Sequence, residues 1–93
     1  TGYPEGLQGE EIPVGARIFN LANGFAAMNN ERPYRPKLAD DAVLRELTNN
    51  AGKQFDPALV LKLIDVIEEK SILQVTRQQL ENSRKTIRKT LLQ

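Results

Sequence analysis

Cysteine, histidine and tryptophan are absent from these 93 residues, and methionine occurs once. Without cysteine, neither a disulfide nor a thiolate metal site can form, and the composition is compatible with the cytosol. Without histidine, the commonest general acid/base and the commonest metal ligand at neutral pH are lost together, so whatever this chain does, it does not do histidine chemistry by itself. Only five aromatic residues are present, two Tyr and three Phe, and none follows Phe55. No run of about 18 uninterrupted apolar residues occurs, which excludes a membrane-spanning helix, and no signal peptide is recognisable.

What is present fits one small domain with a modest core, since 40% of the residues are hydrophobic. The formal charge of +1 conceals an asymmetry. Residues 1 to 73 carry eight Lys/Arg against eleven Asp/Glu, whereas residues 74 to 93 carry five against one. The last twenty residues therefore read as a separate basic unit. Such a unit suits phosphates or an anionic surface, and a solvated helix face explains it equally well.

The chain opens on a Gly/Pro-rich loop, Thr1 to Pro13, whose three Gly and two Pro resemble the interior of a domain more than a frayed polar end. Pro13 then introduces a helical pattern. Val14, Ile18, Leu21, Phe25 and Met28 recur at spacings of four and three, which makes one apolar stripe. About half a turn away, Ala16, Phe19, Asn23, Ala26 and Ala27 form a second face without charge. A helix that is apolar or small on both sides is expected to be buried on both sides.

Arg32-Pro33-Tyr34-Arg35-Pro36-Lys37 is next, a stiff basic segment whose two prolines forbid a regular helix. Arg32, Arg35 and Lys37 are candidate phosphate-binding cations, and a solvated surface connector reads equally well from these six residues alone. A short helix follows, favoured at its start by Asp40 and Asp41, with Val43, Leu44 and Leu47 inward and Gly52 as its stop. Asp56 as N-cap with Pro57 at the first helical position begins another. Its apolar positions are Leu59, Val60, Leu63, Ile64 and Ile67, and the pattern thins from Ser71.

Val66, Leu73, Leu80 and Ile87 recur every seven residues and invite a coiled-coil reading. The companion positions Lys70, Arg77 and Arg84 are charged, so the second heptad stripe fails. The tail is expected to be an exposed or partner-dependent helix. Nothing reads as a strand, so the fold class is all-α. Residues 1–72 form the main unit and residues 73–93 a basic C-terminal helical extension.

Taken together, T-G-Y-P-E-G-L-Q-G-E-E-I-P-V-G-A-R-I, R-P-Y-R-P and A-G-K-Q-F-D-P-A-L-V, in that order and spacing, resemble the C-terminal half of an HD-GYP domain over about residues 1 to 67. Gly2, Tyr3 and Pro4 would be the motif that names that family. The resemblance implies a partial all-α bundle that starts at the Gly/Pro loop and ends in a long C-terminal helix. It also implies a cytoplasmic bacterial signalling protein whose active relatives hydrolyse cyclic di-GMP at a two- or three-metal centre of Fe or Mn, where metal-bound hydroxide attacks phosphorus. The family's His/Asp ligands are expected upstream, so the chain reads as a fragment whose partner is the missing N-terminal half of the domain.

Two positions depart from the pattern. Active members carry A-D-x-F-D-A-L where this chain has Ala22-Asn23-Gly24-Phe25-Ala26-Ala27-Met28. Asn23 thus stands where a metal-binding Asp is expected, and Ala26 where a second Asp is usual. An amide oxygen brings no negative charge and a methyl group brings no ligand atom. Two readings follow: a catalytically silent regulatory or binding module that meets a signalling protein or cyclic di-GMP, or a phosphodiesterase whose remaining ligands lie upstream. A DNA- or RNA-binding role on the basic tail is disfavoured because base-stacking aromatics are lacking. The uncharged second face and an unpaired C-terminal helix also predict self-association or helix exchange between chains.

Overall fold

The computed structural model describes residues 12–31, 33 and 36–93, and its elements are four helices. They are α1 (Val14–Asn29), α2 (Asp40–Asn50), α3 (Pro57–Lys70) and α4 (Arg77–Leu92). The all-α expectation holds: among the described residues the only β pairing is an isolated bridge between Ala51 and Phe55. No described helix is long and apolar enough to cross a membrane.

Local chemistry sets the boundaries of α2 and α3 and the start of α4. Helix α2 starts with Asp40 and Asp41 in its first turn, where carboxylates meet the positive end of the helix dipole. It stops before Gly52, whose φ of 87° lies in the left-handed region that glycine tolerates. Asp56 accepts a hydrogen bond from Ala58 N at 2.9 Å, and Pro57 occupies the first turn of α3, as its sequence signal predicts. Ser71 ends α3 with φ 52°, and its N–H returns to the carbonyls of the last turn. A capping box begins α4: Gln79 N donates to Thr76 Oγ1 at 3.0 Å, and Thr76 N donates to Gln79 Oε1 at 2.7 Å.

The core is one cluster in which Val43, Leu44 and Leu47 of α2 meet Val60, Ile64 and Ile67 of α3 and Leu80 and Ile87 of α4. Leu21 of α1, with Ala51, Phe55 and Leu73, completes it. The expectation of an exposed or partner-dependent tail is corrected here. Helix α4 packs on α3 and α2, and Leu80, Ser83 and Ile87 are buried. Two causes are visible. The turn at Ser71 lets the chain fold back, and the charge surplus of the tail is answered by α3. Arg84 Nη2 lies 2.6 Å from Glu68 Oε1 and 2.9 Å from Asp65 Oδ1. The Glu68 hydrogen bond, opposed by partial burial and reinforced by Asp65, holds the Arg84 guanidinium above its ordinary pKa.

The seven-residue spacing likewise does not run along one helix. Leu73, Leu80 and Ile87 are buried within the chain itself, whereas Val66 is exposed. Among the residues of the first apolar stripe, Leu21 is buried and Phe25 and Met28 pack against the core. Val14 and Ile18 are about half exposed, at 55% and 52%, because no described element covers the first turns of α1.

Candidate functional site

Helix α1 contains a single charged residue, Arg17. Arg17 Nη1 is paired with Asp56 Oδ2 at 2.6 Å, so its charge is committed internally. The remaining outward surface of α1 is neutral. Phe19 is 67% exposed, Ala16 and Asn23 are exposed, and Ala26 and Ala27 are half-buried. This is the second, uncharged face read from the sequence, and no described element packs over Phe19 or Asn23.

Asn23 offers this face a neutral amide oxygen, and Ala26 offers no donor atom. A two- or three-metal centre needs anionic oxygens or imidazoles to offset the ionic charge. Among the described residues, no group of three or more Asp, Glu, His or Cys is gathered in a way that could hold a metal. The described residues of this face do not fit such a centre.

The candidate phosphate cations divide. Arg32 and Arg35 lie outside the described residues, as do Gly2, Tyr3 and Pro4. Lys37 is described, and its Nζ sits 3.1 Å from Asp40 Oδ1. The other carboxylate oxygen of Asp40 accepts a hydrogen bond from Gln74 N at 2.7 Å. That backbone donor, followed by the hydrogen bond from Lys37, holds the Asp40 carboxyl below the usual carboxylate range. An exposed ion pair three residues apart is weak, so Asp40 holds Lys37 only loosely.

Three contacts that sequence reasoning missed fasten α1 to the loop between α2 and α3. Besides the Arg17–Asp56 pair, Asn20 Nδ2 donates to Gln54 O at 2.7 Å. Gly24 faces the ring of Phe55, where a Cβ on the glycine would stand 2.5 Å from Phe55 Cζ. The only sequence trace of these contacts is that Arg17, Asn20 and Gly24 share a helix side and that Gln54, Phe55 and Asp56 are consecutive. A cleft of about 360 Å³ also opens between α2 and α4, lined by Arg45, Thr48, Asn49, Gln79, Asn82 and Ser83 among others. It includes none of the candidate site residues named from the sequence, although Asp41 and Leu44 of α2 also line it. Thr48 Oγ1, which donates to Leu44 O at 2.7 Å, lies 2.9 Å from Ser83 Oγ there.

Comparison with known proteins adds relatives to this geometry. A family model described as "HD domain" matches residues 1–59. The chain is 44% identical over 64 residues to "Cyclic di-GMP phosphodiesterase response regulator RpfG" of Xanthomonas campestris pv. campestris, a match covering 69% of this chain and 17% of that protein. It is 38% identical over 80 residues to a "Cyclic di-GMP phosphodiesterase" of Thermotoga maritima, covering 85% of this chain and 21% of that one. It is 36% identical over 69 residues to "3'3'-cGAMP-specific phosphodiesterase 2" of Vibrio cholerae, covering 74% and 13% respectively. These matches thus span between 13% and 21% of the relatives' length. No solved structure matches the chain.

Proposed function

The chain belongs to the HD domain family, and from that premise we propose that it serves as a binding or regulatory module in bacterial cyclic di-GMP signalling, without phosphodiesterase turnover. The observation that carries this reading is the neutral outward face of α1. Asn23 and Ala26 stand on it where the family resemblance puts two carboxylates, and the one charge of the helix is committed to Asp56. Two simultaneous departures on one face weaken metal binding more than either alone, because a neutral amide leaves the ionic charge unbalanced and a methyl leaves a coordination position unfilled.

Nucleotide capture does not need metals. In this proposal Arg32, Arg35 and Lys37 hold the phosphates of a cyclic dinucleotide as point charges and forks, with Lys37 released from Asp40 when the anion arrives. The outward face of α1 meets a protein surface, either another part of the parent protein or a signalling partner. Self-association now rests on this face alone, because α4 is already paired within the chain.

The purified chain is tested with cyclic di-GMP and Mn²⁺, following binding by calorimetry and product by chromatography. The expected result is binding that weakens at least tenfold in the Arg32→Gln/Arg35→Gln/Lys37→Gln variant, with no linear product. Sustained metal-dependent hydrolysis would overturn the reading in favour of the second one, a phosphodiesterase that uses Asn23 as a neutral ligand.

A further inference from the structure

We propose that Gln54, Phe55 and Asp56 form a positioning element that fixes the rotation of α1 about its own axis, so that Phe19, Asn23 and Ala26 leave the core as one rigid face. Arg17, Asn20 and Gly24 are the positioning residues on the helix. Three consecutive loop residues grip three positions of α1, through an ion pair at 2.6 Å, a hydrogen bond at 2.7 Å and a ring seated against a residue with no side chain. By the 3.6-residue period, positions 17, 20 and 24 fall within about a sixth of the helix circumference.

The core alone does not set this rotation. Leu21 is the one buried residue of α1, and Phe25 and Met28 are only partly covered. Hydrophobic contact of that extent is non-directional and tolerates a roll of the helix. Directional groups do not: a hydrogen bond weakens steeply away from linearity, and the Phe55 ring fits only where the glycine faces it.

The gripping element is itself held still. The Asn50 carbonyl accepts from the N–H groups of Lys53, Gln54 and Phe55 at 3.0, 3.0 and 3.1 Å, and Gly52 N donates to Phe55 O at 2.8 Å. Asp56 is anchored as the N-cap of α3, using Oδ1 for Ala58 N and Oδ2 for Arg17. Position 23 is therefore referred, through Arg17 and Asp56, to the start of α3. Its importance rests on the reading above that the Asn23 face is where this family's chemistry or its replacement partner is met.

The absence of cysteine makes the test direct. Nitroxide labels are attached to an Asn23→Cys/Lys85→Cys chain, and the distance distribution between α1 and α4 is measured by pulsed electron resonance. A roll of about 30° moves a side-chain tip about 5–6 Å from the helix axis by about 3 Å. Adding Arg17→Gln or Asn20→Ala is expected to shift the distribution by about that amount or to broaden it. Ile87→Val, a core change remote from the grip, is expected to lower the melting temperature and leave the distribution unmoved. Unchanged distributions in both α1 variants would overturn the proposal, as would an equal shift in Ile87→Val. Asn20 is exposed, so Asn20→Ala keeps the test decisive if the Arg17 variant does not fold. No metal or nucleotide enters this measurement, so its failure is distinct from failure of the binding-module reading.

Discussion

Replacing Gly24 by Ala inside a helix normally stabilises it, by up to about 1 kcal/mol, because glycine has more backbone freedom to lose on folding. Here the opposite is expected. A Cβ at position 24 would lie 2.5 Å from Phe55 Cζ and 2.7 Å from Cε1, whereas carbon atoms settle at about 3.5–4.0 Å. The ring must retreat by about 1 Å, but it is 5% exposed, and its backbone is pinned by the Asn50 carbonyl and by Gly52 N. Overpacking of this kind costs about 1–3 kcal/mol. Subtracting a propensity gain of about 1 kcal/mol leaves Gly24→Ala destabilised by up to about 2 kcal/mol. At about 4–8 °C per kcal/mol for a domain of this size, Tm falls by up to about 16 °C. Gly15 in the same helix is the control, since a Cβ there meets nothing within 4 Å among the described residues. Gly15→Ala should hold or raise Tm. Thermal unfolding followed at 222 nm decides the matter, with Phe55→Leu as a second background in which the Gly24→Ala penalty should shrink by about 1 kcal/mol. Equal stabilisation by both glycine replacements would refute the close packing of Phe55 on α1.

Asp56→Ala removes the α3 cap and the partner of Arg17 together and should cost about 2–4 kcal/mol in urea denaturation, whereas Asp56→Asn keeps the capping oxygen and costs less. Thr76→Ala abolishes the capping box and should destabilise by about 1 kcal/mol in the same assay, with exchange protection lost first in the opening turn of α4. For Asp40, the folded carboxyl titrates below its unfolded value. Its contribution is therefore fully present above the ordinary Asp pKa and is lost as pH falls through the lowered folded value. Carboxyl shifts followed by NMR should show that low midpoint, and Asp40→Asn should remove the corresponding acid-side slope of stability.

Signals that act within one turn of chain were legible in the sequence. Asp56-Pro57 announced α3, and Asp40-Asp41 with Gly52 bracketed α2, because caps and dipole partners are local chemistry. The neutral face of α1 was legible for the same reason, as a plain periodicity. The fate of the tail was not. Its burial depends on a turn at Ser71, a residue with little intrinsic preference for left-handed φ, and on Arg84 meeting Asp65 and Glu68 from another helix. The grip on α1 escaped for a similar reason, since residues 34 to 39 positions apart must fold together before Arg17 can find Asp56 or Asn20 can find Gln54. Val14 and Ile18 misled in the other direction: they belong to the stripe by spacing, but the described bundle ends before it reaches them.

If Asn23 and Ala26 leave the α1 face unable to recruit the metals that the family resemblance implies, Mn²⁺ should find no site there. Mn²⁺ is titrated into the isotopically labelled chain and into Asn23→Asp/Ala26→Asp, and the paramagnetic broadening is read residue by residue. No broadening centred on residues 23 and 26 is expected in the natural sequence, and saturable broadening is expected there once both carboxylates are installed. Stoichiometric Mn²⁺ on that face of the unaltered chain would contradict this expectation.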